Sequence, residues 1–306
     1  MPLPARDEGE PSSWDDLIAA SGLPRLEARR LAELASGRRR EWLIAHGDEP
    51  APADPAARFA ALVRRRCDGE PLAYLTGERE FWGRSFRVTP AVLIPRPDTE
   101  LLAGWAIGHA PRGARVLDLG TGSGVVAITI ALERPDVSVV ATDVSEAALE
   151  VARANVAALC PGAAPRVRLL AGAWFDALAP GEHFETIVSN PPYVAAADEH
   201  LSRGDLRFEP RTALTDGGDG LSALRAIVAG APARLAPGGA LALEHGWDQG
   251  AAVRAQMTDA GFAGVATLAD AEGRERVTHG RLAPGASGRR TPANEPARAR
   301  DRPARH

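Results

Sequence analysis

The sequence predicts an α/β fold: a mostly parallel sheet covered by helices on both faces, preceded by a small all-α domain and a β-hairpin. Three observations carry this. From Arg115 onward, strand-like runs alternate with helical stretches, the texture of repeated βα units. Those runs are apolar almost throughout, as strands buried on both faces are. Before Pro71, by contrast, Leu and Ile recur at helical spacing with no strand pattern.

Taken in order, residues 1–11 read as a loose, disordered leader. Residues 12–70 read as a helical domain. "SSWDDLIAASGLPRLEARRLAELASG" has a Ser start signal with Asp in the first turn. Breaks at Ser21-Gly22 and Ser36-Gly37 divide it into short helices. "PADPAARFAALVRRRCDG" is a further helix, with Pro near its start and Gly at its end. Arg38-Arg39-Arg40 and Arg64-Arg65-Arg66 read as solvated faces, with a partner contact as the alternative. Residues 71–97 form a connector, a hairpin turning at Trp82-Gly83. "PRPDTELL" then opens a helix for which Asp98 is the expected cap. Residues 98–283 carry the alternating domain, from the strand "RVLDLG" to the last strand "RERVTHGRL". Its final two strands have no helix between them, so one of them is antiparallel. Residues 284–306 are Pro/Arg-rich without apolar periodicity and are expected to be disordered.

Composition excludes several classes. The net charge of −4 does not suit a binder that relies on bulk phosphate attraction. The chain contains no lysine, so Schiff-base and P-loop lysine chemistry are excluded. Its two cysteines, Cys67 and Cys160, stand far apart in no ligand spacing. That argues against a disulfide framework or a metal site and fits a reducing cytoplasm. No apolar run is long enough to span a membrane, and the N-terminus lacks the apolar centre of a secretory signal.

The chemistry concentrates in "VLDLGTGSGVVAI" and "TIVSNPPYV". Gly120, Gly122 and Gly124 follow the first strand of the domain and open a helix, where backbone can approach a ligand closely. Thr121 and Ser123 lie between them. A dinucleotide fingerprint wants its third Gly one residue later, where Val125 stands. The order D-x-G-x-G-x-G is instead the pattern of S-adenosylmethionine methyltransferases. Asp143 ends the next strand, about 20 residues past the glycines, where a carboxylate can accept from both hydroxyls of a ribose. Ser145 is then free to cap the following helix. In "AGAWFDAL", Trp174 and Phe175 are the candidates to pack on an adenine ring.

Asn190-Pro191-Pro192-Tyr193 ends the fourth strand of the domain at the same sheet edge. Both prolines lack an N–H and fix φ, and Asn190, preceding a proline, is held extended. The Asn190 side-chain oxygen and the Pro191 carbonyl are therefore expected as fixed acceptors for the two protons of one planar NH2 group, with Tyr193 against its plane. Such acceptors help localise the nitrogen lone pair and stabilise the charge that develops as an N–C bond forms. Adenine N6 and a glutamine amide present nearly the same NH2, so the motif alone leaves both open. A nicotinamide oxidoreductase would leave this loop unexplained. A silent donor-binding module would have no need of Asn190.

Further stretches narrow the choice: "PLAYLTGEREFWGRSFRVTPAVLIPRPDTE", "RFEPRTALTDGGDGL", "LEHGWDQG" and "RERVTHGR". With the two motifs above, they make residues 12–283 resemble the HemK/PrmC family of release-factor glutamine methyltransferases. The resemblance implies a Rossmann-like class I methyltransferase domain with a seven-stranded sheet, S-adenosylmethionine as methyl donor, and the Gly-Gly-Gln glutamine of class 1 peptide-chain release factors as substrate. By position it assigns donor binding to Gly120, Thr121, Gly122, Ser123, Gly124, Asp143, Trp174 and Asn190. It assigns the glutamine to Asn190, Pro191, Pro192 and Tyr193, with Asn190, Pro191 and Tyr193 catalytic. It implies no metal, no membrane and no stable nucleic-acid complex; a nucleic-acid adenine-N6 methyltransferase is the alternative. "PRPDTE", just before the first helix of the catalytic domain, is expected to border the substrate entrance, with Arg96 and Glu100 in salt-bridge or structural rather than catalytic roles, and His245 reads as a satisfied structural histidine.

Overall fold

The structure, a computed structural model, describes residues 12–162, 166–202 and 204–283. The expected leader and tail lie outside them.

Four helices open the chain: α1 (Trp14–Ala20), α2 (Arg25–Ser36), α3 (Arg40–Ala45) and α4 (Ala53–Cys67). The start signal works as a capping box: Ser13 Oγ accepts from the Asp16 N–H, and Asp16 answers at the Ser13 N–H, both at 3.2 Å. Gly37 ends α2 in the left-handed region that a side chain would strain. The helices close on Trp14, Leu31 and Phe59, with Trp14 and Phe59 edge to face at 6.2 Å. The second arginine run is not simply solvated. Arg66 pairs with Glu27 of α2 and Arg65 with Glu70, each at 2.6 Å.

A short helix, α5 (Leu72–Thr76), stands where only connector was expected. Five residues are too few to show a helical period. α5 serves two cores: Leu75 packs with the N-terminal helices, while Tyr74 packs against Val88, Val92 and Ile94. The Tyr74 hydroxyl donates to the Val92 carbonyl at 2.6 Å. Strands β1 (Glu78–Phe81) and β2 (Arg84–Arg87) pair antiparallel. Trp82 and Gly83 both take positive φ between them, as a tight hairpin turn requires.

The remaining elements are α6 (Thr99–His109), β3 (Arg115–Leu119), α7 (Val125–Glu133), β4 (Ser138–Asp143), α8 (Glu146–Leu159), β5 (Val167–Ala171), β6 (Phe184–Ser189), α9 (Arg211–Leu214), α10 (Ser222–Gly230), β7 (Leu235–Glu244), α11 (Gly250–Asp259), β8 (Phe262–Ala269) and β9 (Glu275–Leu282). Asp98 does not cap α6 with its side chain. The chain is already turning there, with Thr99 N–H donating to the Arg96 carbonyl, so Asp98 sits in helical backbone. Its carboxylate pairs with Arg276 at 3.1 Å instead.

The seven-stranded sheet runs β5-β4-β3-β6-β7-β9-β8. Only β9 opposes the rest, pairing antiparallel with β7 and β8. Neighbouring residues of one strand feed opposite cores. Val116 joins Leu102, Ile128 and the hairpin's Phe81 and Phe86, while Leu117 joins Ile187, Leu224, Ile227 and Val253. Two buried faces explain the unbroken apolar runs. Full burial of each such side chain contributes about 1.5–3 kcal/mol. The winding reverses at β3, which has β4 on one side and β6 on the other. Ligands of open α/β sheets bind in the crevice at that reversal, outside the carboxyl ends of the strands.

Candidate active site

The glycine loop leaves β3 and the Asn190 loop leaves β6. Leu119 pairs with Ser189 in the ladder, and Ser189 Oγ donates to the Leu119 carbonyl at 2.6 Å. Gly120 and Asn190 therefore start side by side. Between them opens a cleft at the carboxyl edge of the sheet.

The glycine loop uses its own donors internally. Gly120 and Thr121 N–H donate to the Thr142 carbonyl, Gly122 N–H to Asp143 Oδ2, and Gly124 N–H to the Thr121 carbonyl, all at 2.8–3.0 Å. A phosphate cradle needs such donors free. This loop instead permits close contact with an uncharged group. Gly124 lies behind the cleft, at φ +84°, where a Cβ would meet Ile128 and Ala152. It packs α7 against α8.

Asp143 holds the loop from the end of β4. One oxygen accepts from Gly122 N–H at 2.9 Å and the other from Ser145 N–H at 2.8 Å. Ser145 Oγ caps α8 at Ala148. A carboxylate has about four lone-pair sites, so Asp143 keeps acceptor capacity toward the cleft it lines. Burial raises its pKa. Val144, 73% exposed, adds apolar surface beside it.

Asp118 forms the floor. It is buried, accepts from Thr121 Oγ1 at 2.6 Å, and burial pushes its pKa up to about 7. In the sequence Asp118 shows only as the Asp of D-x-G-x-G-x-G.

Asn190 donates through Nδ2 to Thr99 Oγ1 at 3.1 Å. That leaves Oδ1 as the acceptor for the cleft. Pro191 is buried. Tyr193 turns inward: its ring packs against the β6–β7 core and its hydroxyl lies 3.4 Å from Glu244 Oε1. The loop's far end is braced by Gln249, whose Nε2 donates to the Tyr193 carbonyl at 2.9 Å, and by Val194 N–H donating to Leu214.

Gly120, Thr121, Gly122, Ser123, Asp143 and Asn190 thus line one cleft; Gly124, Trp174, Pro191, Pro192 and Tyr193 stand outside its lining. The Trp174 ring lies over Gly120. Its backbone takes a left-handed φ of 46°, with its carbonyl held by Thr142 Oγ1 at 3.0 Å. Phe175 packs against Gly230 of α10, away from the loop.

Of the outer wall, sequence reasoning expected only "PRPDTE". Val92, Leu93, Pro95, Arg96 and Thr99 line one part, and Pro210, Thr212 and Ala213 another. Buried Glu209 joins the two, accepting from Ile94 N–H at 2.9 Å and pairing with Arg96. The juxtaposition of "LIPRPDTE" and "FEPRTAL" was the available signal. Arg96 is a structural ion-pair partner, and Glu100 accepts from Trp82 N–H. His245 is buried, with its ring nitrogens at Gly246 O and Thr278 Oγ1. Among the described residues no group of three or more His, Cys, Asp or Glu is placed to hold a metal ion. No described helix is long and apolar enough to cross a membrane.

The Methyltransferase small domain family model matches residues 99–221, and the PrmC N-terminal domain model matches residues 15–77. The chain is 54% identical over 271 residues to the release factor glutamine methyltransferase of Bordetella pertussis, covering 87% of this chain and 98% of that one. It is 52% identical over 270 residues to that of Neisseria gonorrhoeae, covering 88% and 97%. A methyltransferase from Pyrococcus furiosus, 20% identical, shares the fold with a TM-score of 0.50 over 72% of this chain and 97% of that one. A class I methyltransferase sheet, a matching helical N-terminal region and curated relatives of nearly equal length place the chain in the HemK/PrmC family of release-factor glutamine methyltransferases.

Proposed function

We propose that the enzyme transfers a methyl group from S-adenosylmethionine to the side-chain nitrogen of the glutamine in the Gly-Gly-Gln motif of class 1 peptide-chain release factors, in the cytoplasm. The observation that carries this is Asn190: its amide nitrogen is engaged by Thr99, so its oxygen stands as an acceptor beside the glycine loop.

The residues present suit the donor. Asp143 has acceptor sites left for two vicinal hydroxyls. The glycine loop has its donors committed internally, which suits a neutral adenosyl group better than a pyrophosphate. Val92, Leu93 and Val144 offer apolar walls. When bound, the donor supplies an electrophilic methyl on a sulfonium. The protein's own part is to hold and orient the acceptor. Asn190 Oδ1 and the Pro191 carbonyl take the two amide protons and hold the nitrogen in line. They then stabilise the positive charge as the N–C bond forms and the S–C bond breaks. The extra proton leaves to water. The helical domain, residues 12–70, and the connector, residues 71–97, form a platform beside the cleft of residues 98–283 for a folded protein substrate.

Mass spectrometry of a release factor incubated with enzyme and donor tests the reading. One added methyl on the Gly-Gly-Gln glutamine is expected. Label from the donor appearing in DNA alone would overturn it in favour of adenine methylation.

A further inference from the structure

We infer that Glu209 is a positioning residue for the methyl donor: it fixes the two outer walls of the cleft against each other, and Arg207 makes that setting depend on the helical domain. The inference rests on the cleft being the seat of S-adenosylmethionine. The Glu209 side chain is fully buried. Its Oε2 accepts from the Ile94 N–H at 2.9 Å, and its Oε1 pairs with the Arg96 guanidinium. Ile94 stands between Leu93 and Pro95, and Glu209 directly precedes Pro210. Leu93, Pro95, Arg96 and Pro210 all line the cleft. One carboxylate therefore joins walls that lie 115 positions apart in the chain. Loosening either contact leaves a buried charge or a buried N–H unmet, so both are held narrowly.

The residues just before Glu209 are gripped by the helical domain. Gly204–Phe208 forms a short 3-10 helix. Within it, the Arg207 guanidinium donates to the carbonyl of Asp68, the C-terminal cap of α4, where a cation is favoured. Gly69 makes this approach possible. It stands at φ +94°, and a Cβ there would collide with the guanidinium. Arg207 also lies over the Phe208 ring at 4.8 Å. Phe208 in turn packs against the cluster of Tyr74, Val92 and Ile94. Asp205 lies 3.6 Å from Arg66 of α4, which holds Glu27 of α2 at 2.6 Å.

A continuous set of contacts thus runs from α2 and α4 through Asp205, Arg207 and Phe208 to Glu209 and the cleft. It ends on the walls and not on the Asn190 loop. Its loss belongs to donor affinity, and the transfer step at bound donor is left as it was. Glu209 and Arg207 act through Ile94, Arg96 and Pro210; they are positioning residues.

The test measures S-adenosylhomocysteine affinity by calorimetry, well below each variant's melting temperature, beside steady-state turnover of a release-factor substrate. Glu209→Gln keeps an acceptor for Ile94 but sets an NH2 group against Arg96. It is expected to weaken S-adenosylhomocysteine binding on the order of tenfold and to raise the donor KM alike, with kcat at saturating donor within about twofold of wild type. Arg207→Ala, at an exposed position outside the cleft lining, is expected to weaken binding roughly three- to fivefold. Arg207→Lys can still donate to the Asp68 carbonyl and should bind as wild type does. Unchanged affinity in Glu209→Gln or Arg207→Ala overturns the inference, even with a lowered melting temperature, because the contacts would then hold the fold and not the cleft. A fall in kcat with affinity retained overturns it too. Should Glu209→Gln fail to fold, Arg207→Ala decides. A wild type that binds no S-adenosylhomocysteine removes the donor reading, and the inference with it.

Discussion

Asn190 can serve as an acceptor only if its donor end is occupied elsewhere, and Thr99 occupies it. Replacing Asn190 by Ala should therefore leave S-adenosylhomocysteine binding nearly intact. It should lower kcat by roughly 10²–10³-fold, the scale of losing one preorganised transition-state contact; single-turnover kinetics with calorimetry separates the two effects. Asp143→Ala should do the reverse, weakening donor binding more than about tenfold. That carboxylate also holds Gly122 and Ser145, so its loss loosens the loop it faces. The glycines, Asp143 and Asn190 were legible because residue type and spacing together imply a task. Thr99 and Glu244 were not. A Glu at a strand end looks like any solvated terminus, and only tertiary packing makes this one buried. Trp174 was visible as an aromatic after β5, but its left-handed backbone and its seat over Gly120 are products of the folded loop.

Loops here are held from behind by their neighbours. Gln249, ahead of α11, ties the Tyr193 carbonyl to the Gly220 carbonyl at 2.9 and 3.2 Å. Gln249→Ala removes both bonds and should lower kcat with little change in donor affinity. Increased amide hydrogen exchange at residues 193–196 would report the loosened loop. Gly220→Ala should be worse: its φ is +78° and the new Cβ would lie 2.4 Å from the Tyr193 carbonyl oxygen. Strain at a special backbone position costs on the order of 1–3 kcal/mol, and a falling melting temperature with falling turnover is the expected pair of results. Elements of strong pattern were readable in advance: β3, β6 and β9 coincide with "RVLDLG", the run ending in Asn190 and "RERVTHGRL". The five-residue α5 was not, having too few residues to show a period, and of the cleft wall only "PRPDTE" was, since its join to Pro210, Thr212 and Ala213 brings together distant parts of the chain.

Across the whole molecule, charge burial sets the pH response. Asp118 and Glu244 both have pKa values pushed up to about 7. A raised carboxyl pKa contributes stability that is full below the unfolded value and is lost as pH rises through the folded one. His245 and His279 are lowered and act oppositely, losing stability as pH falls. The clean measurement is therefore a difference. The melting temperature of Glu244→Gln minus that of wild type should grow from about pH 6 to about pH 8, because the variant has no buried charge to form. A constant difference would show that Glu244 does not titrate there. The parallel sheet, its covered faces and one antiparallel strand among the last two were expected from the order of elements alone. The contact of the connector's short helix α5 with the cleft wall, made by Tyr74 at Val92, was not. The pairing of Leu119 with Ser189 has a further consequence. Residues 70 positions apart in the chain hold the two halves of the cleft on one rung of the sheet. A slip of one residue along β6 would turn its apolar side chains to the wrong faces. A folded molecule with a misaligned site is therefore excluded by the same burial that stabilises the sheet, and assembly of the nascent chain delivers the two halves already in register.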